Sequence, residues 1–207
     1  MRNCVCKTSV LAIAVLLIGA GFAFAGQNET AVISLTTEAE ISGVAGGTEI
    51  QVAVRGAGMT DVKQLQITIE VDPVSAFDMG TVVVAANPTL ALALPAQVTG
   101  GTIVGGAASI GGALAAEDDL ATLTITTAAD MTTATQATIT VVEVQIGPSA
   151  STKDALAPGL VVTLNPPAPA PTIASIAPAS GSMSGGTSIT ITGANFVDGA
   201  TVTVGGV

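Results

Sequence analysis

Beyond its first 25 residues this chain has no cysteine, and it has no histidine, tryptophan or tyrosine anywhere. Without cysteine there is no disulfide, no thiol nucleophile and no cysteine-based metal site. Without histidine there is no Ser-His-Asp triad, no Cys-His pair and no ordinary zinc site. Of the phenylalanines, Phe22 and Phe24 lie in the first 25 residues, which leaves Phe77 and Phe196. Rings on which bases or sugars stack are therefore scarce. Of the Trp, Tyr and Arg residues that dominate interface hot spots, only Arg55 remains past residue 25. Positive charge is scarce too, with 5 Lys+Arg against 15 Asp+Glu and a net charge of −10. Phosphate backbones call for clustered Lys and Arg, so nucleic acid is excluded as a partner. The acidity suits solubility outside a cell.

What is present begins with an export pattern. Arg2 and Lys7 precede an unbroken apolar run from Val10 to Ile18, and Ala23-Phe24-Ala25 is a small-x-small cleavage site. Residues 1–25 are thus expected to be a signal peptide, cleaved after Ala25. The alternative, an uncleaved anchor, has a run short of the ~20 residues needed to span a bilayer. Cleavage would remove Cys4 and Cys6, and losing Arg2 and Lys7 would take the net charge from −10 to −12. The expected location is secreted, extracellular or at the cell surface, with no membrane span left after cleavage.

The remaining pattern is β throughout. Leu65, Ile67, Ile69 and Val71 alternate with Gln64, Gln66, Thr68 and Glu70, a strand with one buried face. Ile50, Val52 and Val54 alternate likewise, as do Ala121, Leu123 and Ile125. Shorter candidates are 31–36, 81–85, 102–104 and 160–164. Glycine pairs at 46–47, 100–101, 105–106 and 111–112 punctuate them. Many short strands with turn signals between them indicate an all-β sandwich. One strand changes phase: Ala137, Ile139 and Val141 share a face, then Val142, Val144 and Ile146 take the other parity. A β-bulge would produce this shift, and burial of both faces is the alternative.

Asn165-Pro166-Pro167-Ala168-Pro169-Ala170-Pro171 reads as an extended spacer. It sets the expected organisation: signal peptide 1–25, a first domain 26–165, a linker 166–170 and a second segment 171–207. The second segment carries Pro171-Thr172-Ile173, Ile176-Ala177-Pro178, Ser180-Gly181, Gly185-Gly186-Thr187, Ile189-Thr190-Ile191-Thr192-Gly193 and Asn195-Phe196. These resemble the first half of a TIG (IPT) domain, an immunoglobulin-like sandwich of cell-surface and secreted proteins. The resemblance implies a partial sandwich, with strands near 172–176, 188–192 and 201–204, in the front part of a longer polypeptide.

In the first domain, Gly47 to Val54 is followed by Val62 to Val71 and Asp72-Pro73. Later come Leu120-Ala121-Thr122-Leu123-Thr124-Ile125 and Ile139 to Ile146. These stretches are similar to the strands of cohesin domains, over residues 44–164. Val71 and Ile125 stand where that family usually has aromatics. The resemblance implies a jelly-roll β-sandwich that docks a small calcium-loaded dockerin module through one sheet face, often in complexes on polysaccharides. No contact residue is carried over.

Candidate chemistry is sparse. Glu117-Asp118-Asp119 is the densest acidic cluster. It lacks the Asp-x-Asp-x-Asp spacing of calcium loops and reads as a solvated turn before the Leu120 strand. Asp72-Pro73 reads as a turn former, and Asp61 and Lys63 as exposed residues by a glycine turn. The run 100–112 has no Gly-Lys-Ser/Thr and opens no helix, so it reads as β-turns and tight strand ends, not a phosphate loop. No catalytic, cofactor or metal residue is assigned. The expected function is a non-catalytic extracellular binding or assembly module, a receptor for a dockerin-type partner with a possible link to polysaccharide. The alternative is the non-catalytic N-terminal part of a secreted carbohydrate-active enzyme, or a structural stalk.

Overall fold

The structure, a computed structural model, describes residues 26–129, 131 and 136–203. The expected signal peptide lies outside them. The chain divides into two compact units between Pro166 and Pro167.

The first unit is a β-sandwich. Its strands are β1 (Val32–Leu35), β2 (Glu40–Ser42), β3 (Glu49–Ala57), β4 (Gln64–Asp72), β5 (Phe77–Ala86), β6 (Leu92–Thr99), β7 (Thr102–Ala108), β8 (Glu117–Thr127), β9 (Ala137–Gly147), β10 (Asp154–Leu156) and β11 (Leu160–Asn165). One sheet runs β1-β3-β8-β5 and the other β2-β11-β9-β4-β7-β6, with β10 on the edge of β9. Apart from the parallel β2–β11 pair, the pairs within both sheets are antiparallel.

The alternating runs do what their period dictates. Val52, Val54, Leu123 and Ile125 face inward from the first sheet, and Ile67, Ile69, Ile103, Ile139 and Ile146 from the second. The core is almost wholly aliphatic, with Phe77 its one buried aromatic among the described residues. β-Branched side chains pack well on pleated surfaces, so rings are not needed to fill it. Buried Thr127 is fully paired. Its Oγ1 accepts from the Thr48 amide at 2.9 Å and donates to the Ala45 carbonyl at 2.7 Å, clasping the turn before β3.

The phase change in β9 is a bulge. Thr68 of β4 pairs with Glu143 and Ile69 with Val141, so Val142 is the extra residue. A second bulge falls in β8, where Val54 pairs with Ala121 and Arg55 with Asp119. Leu120 is extra there, and Leu120 and Ala121 are both buried.

Five strands depart from expectation. Strands β2, β6 and β10 have no counterpart among the sequence candidates. Glu117-Asp118-Asp119 is no turn but the start of β8, held in the ladder against Arg55, Gly56 and Ala57. Gly105-Gly106 does not end a strand but lies inside β7. Gly100-Gly101 is the turn expected of it, closing the β6–β7 hairpin with Gly100 at φ +58°, where glycine is favoured.

In the second unit, β12 (Thr172–Ala177) and β13 (Thr190–Ala194) form an antiparallel pair. The third expected strand is not formed at 201–203, and residue 204 lies outside the described residues. Ile173, Ile176, Phe196 and Val197 are exposed.

Candidate face on the larger sheet

The outer face of β9-β4-β7-β6 is built by the polar half of each alternation. Cross-strand registers align it in rows. One row holds Leu94, Gly106, Gln66 and Gln145. The next holds Gln97, Val104, Thr68 and Glu143. A third holds Thr99, Thr102, Glu70 and Thr140, and beyond it Asp72 lies beside Thr138. Glutamines and threonines dominate, with acids at Glu70, Asp72 and Glu143. Lys153 reaches in from beside β10, its Nζ donating to Gln66 Oε1 at 3.2 Å.

Two hollows lie on this face. One, of about 290 Å³, is lined by Glu70, Asp72, Gly101, Thr102, Thr138 and Thr140. The other, of about 300 Å³, is lined by Gln66, Leu94, Pro95, Gln97, Val104 and Gly106. Both are shallow and sit at the low end of the ~300–1,000 Å³ range of small-molecule sites. Their origin is the small side chains. Gly106 presents no side chain outward, and Leu94, 67% exposed, stands opposite it across the strand pair. A flat, amide- and hydroxyl-rich surface with an apolar ridge at one edge suits a protein surface better than an enclosed ligand.

The residues singled out from sequence fall elsewhere or at the rim. Glu117 and Asp119 flank Arg55 on the other sheet, whose Nη1 donates to Asp119 Oδ1 at 3.1 Å and Nη2 to Glu117 Oε1 at 3.3 Å. Those hydrogen bonds, to Asp119 first and Glu117 second, raise the guanidinium's pKa above its ordinary value. With Arg55 between them, the two carboxylates make an ion-pair cluster. Among the described residues no group of three or more potential ligands could hold a metal ion. Asp61 pairs with Lys63 at 2.7 Å. Asp72 ends β4 at the rim of the first hollow. The alternation in the sequence places Gln66, Thr68 and Glu70 on one side of a single strand but does not join them to the other three strands of the face, with which they share no local motif.

Residues 171–207 match the family model of the IPT/TIG domain. No curated protein matches the chain. Among solved structures, a cohesin module from a Clostridium perfringens family 33 glycoside hydrolase is similar at 15% identity and TM-score 0.50, over 66% of this chain and 97% of that one. A cohesin from Clostridium acetobutylicum is similar at 19% identity and TM-score 0.48, over 69% and 94%. A type I cohesin–dockerin complex from Clostridium thermocellum matches at 14% identity and TM-score 0.44, over 64% and 97%. At such identities the likeness is one of fold. The first unit therefore has the fold of a cohesin module, and residues 171–207 match an IPT/TIG domain.

Proposed function

We propose that this chain is a non-catalytic, exported binding module whose first unit docks a dockerin-type protein through the outer face of β9-β4-β7-β6. The observation that carries this is the cohesin fold together with a broad, uncovered, finely polar sheet face that bears both hollows. The composition supports it, since no histidine and no cysteine past residue 25 is available for chemistry. Export follows from Ala23-Phe24-Ala25 closing the apolar run. Among the described residues no helix is long and apolar enough to cross a membrane. The proposed organisation is a leader 1–25, a receptor domain 26–165, a spacer 166–170 and the IPT/TIG segment 171–207.

The test is capture by the exported chain, residues 26–207, from the secreted proteins of its source, with calcium and with chelator. Dockerin-bearing proteins recovered only with calcium, and lost when Gly106→Arg fills the second hollow, are the expected result. Retention on insoluble polysaccharide with no protein partner would replace the reading with a carbohydrate-binding one. A second reading has one observation behind it: the Clostridium perfringens cohesin module belongs to a glycoside hydrolase. On that reading this chain is the non-catalytic front of a carbohydrate-active enzyme, and the reading frame following Val207 decides it.

A further inference from the structure

We propose that Asp154 receives the α-ammonium group of Gly26 once the leader is removed, so that cleavage itself fastens the N-terminal segment to the sheet. The inference rests on the leader cleavage of the proposed function and is independent of any docking partner. Gly26 sits directly against Asp154. A Cβ built on Gly26 would overlap the Asp154 carboxylate, with Oδ1 its nearest atom. The glycine nitrogen is bonded to the same α-carbon as that position, so it lies within salt-bridge reach of Oδ1.

The other carboxylate oxygen is already committed. Asp154 Oδ2 accepts the Asn28 amide at 2.8 Å. Asn28 is itself fully buried. Its Oδ1 accepts from the Thr60 amide at 2.7 Å and its Nδ2 donates to the Thr60 carbonyl at 3.2 Å. The segment is thus tied at one point to the loop before β4 and at another to β10. Asp154 takes part in no side-chain ion pair among the described residues, where the ion pairs are those of Arg55 and Lys63 and the neighbouring Lys153 donates to Gln66 Oε1.

While the leader is attached, the Gly26 nitrogen is a neutral amide with one proton. After cleavage it carries a positive charge and three donors, and charge-assisted hydrogen bonds are roughly twice as strong as neutral ones. A side chain at this position would push the Asp154 carboxylate aside, which gives the residue following Ala23-Phe24-Ala25 a structural reason to be glycine.

The experiment compares two full-length exported forms, one beginning at Gly26 and one at Ala23, each with Asp154 intact and with Asp154→Asn. The reading is hydrogen exchange at the Asn28 amide, which reports local opening of the segment. Exchange at least tenfold slower in the Gly26 form is expected, with the difference abolished in the Asp154→Asn pair. Gly26→Ala, with a free amine but a clashing methyl, is expected to exchange as fast as the Ala23 form. Equal exchange in the two forms, or a difference that survives Asp154→Asn, overturns the proposal. So does an exported protein whose N-terminal sequencing begins anywhere other than Gly26.

Discussion

Gly105 and Gly106 are adjacent in β7, and the same substitution should destabilise at the first and not at the second. Gly105 faces the sandwich interior. A Cβ there would meet Val84 Cγ1 at 2.5 Å and Ile67 Cγ2 at 3.3 Å. Val84 belongs to the opposite sheet and is stiff at χ1, so the sheets must part or a rotamer must strain. Overpacking by one methyl costs ~1–3 kcal/mol, and the reduced freedom of the unfolded chain returns ~0.4–1 kcal/mol. Gly105→Ala should therefore destabilise the first unit by ~0.5–2 kcal/mol, a fall in Tm of about 2–8 °C. Gly106 faces outward, and its nearest neighbours would be Leu65 O at 3.7 Å and Leu94 Cδ1 at 3.8 Å. Those are ordinary contacts, so Gly106→Ala should be neutral or stabilise by up to ~1 kcal/mol. Urea unfolding of residues 26–207, followed by far-UV circular dichroism, measures both. Val84→Ala should relieve the Gly105→Ala strain, so that the double variant loses at least ~1 kcal/mol less than the sum of the singles. Equal effects at the two glycines, or strict additivity with Val84→Ala, would refute the assignment of faces on β7.

Other positions give further tests. Thr127→Val keeps the shape but takes from the part-buried Thr48 amide its 2.9 Å acceptor and from the Ala45 carbonyl its 2.7 Å donor, leaving them only the 3.4 Å bond to each other; a loss of ~1–2 kcal/mol in the same unfolding assay is expected. Deleting Val142 removes the bulge residue and leaves Val141, Val144 and Ile146 on their present face, so the chain should still fold cooperatively. Deleting Gln145 instead, on the far side of the bulge, must either turn Ile146 outward or, if the bulge is used up, bury Glu143 and expose Val144, and a cooperative melt should be lost. Arg55→Ala removes only exposed ion pairs, so its effect should stay under ~1 kcal/mol at low salt and shrink as salt is added.

The parts of the fold legible in the sequence are those in which one strand carries its own signal. β3, β4 and β8 alternate over enough residues to show which face is buried, and the parity switch after Val141 announced the bulge that the β4 pairing confirms. Strands whose reason lies elsewhere in the chain were not legible. β2 and β10 are three residues each, too short for a period, and exist because β11 and β9 offer them an edge. β6 carries Pro95, which argues against a strand, yet its register slips between Leu94 and Gln97 on the sheet's edge, where proline is tolerated. Glu117-Asp118-Asp119 looked like a turn because its cross-strand partner Arg55 is more than 60 residues away. The face was the least legible feature of all, and for a related reason. The chain's want of aromatic rings removes catalytic and stacking readings one residue at a time, but its structural effect is collective. Threonine, glutamine and glycine from four strands leave a surface relieved only by shallow hollows and the Leu94 ridge. Affinity on such a face must come from many small polar and backbone contacts, with no single large anchor to carry it. In the proposed docking role a partner is selected by the fit of the whole face, which no short motif marks.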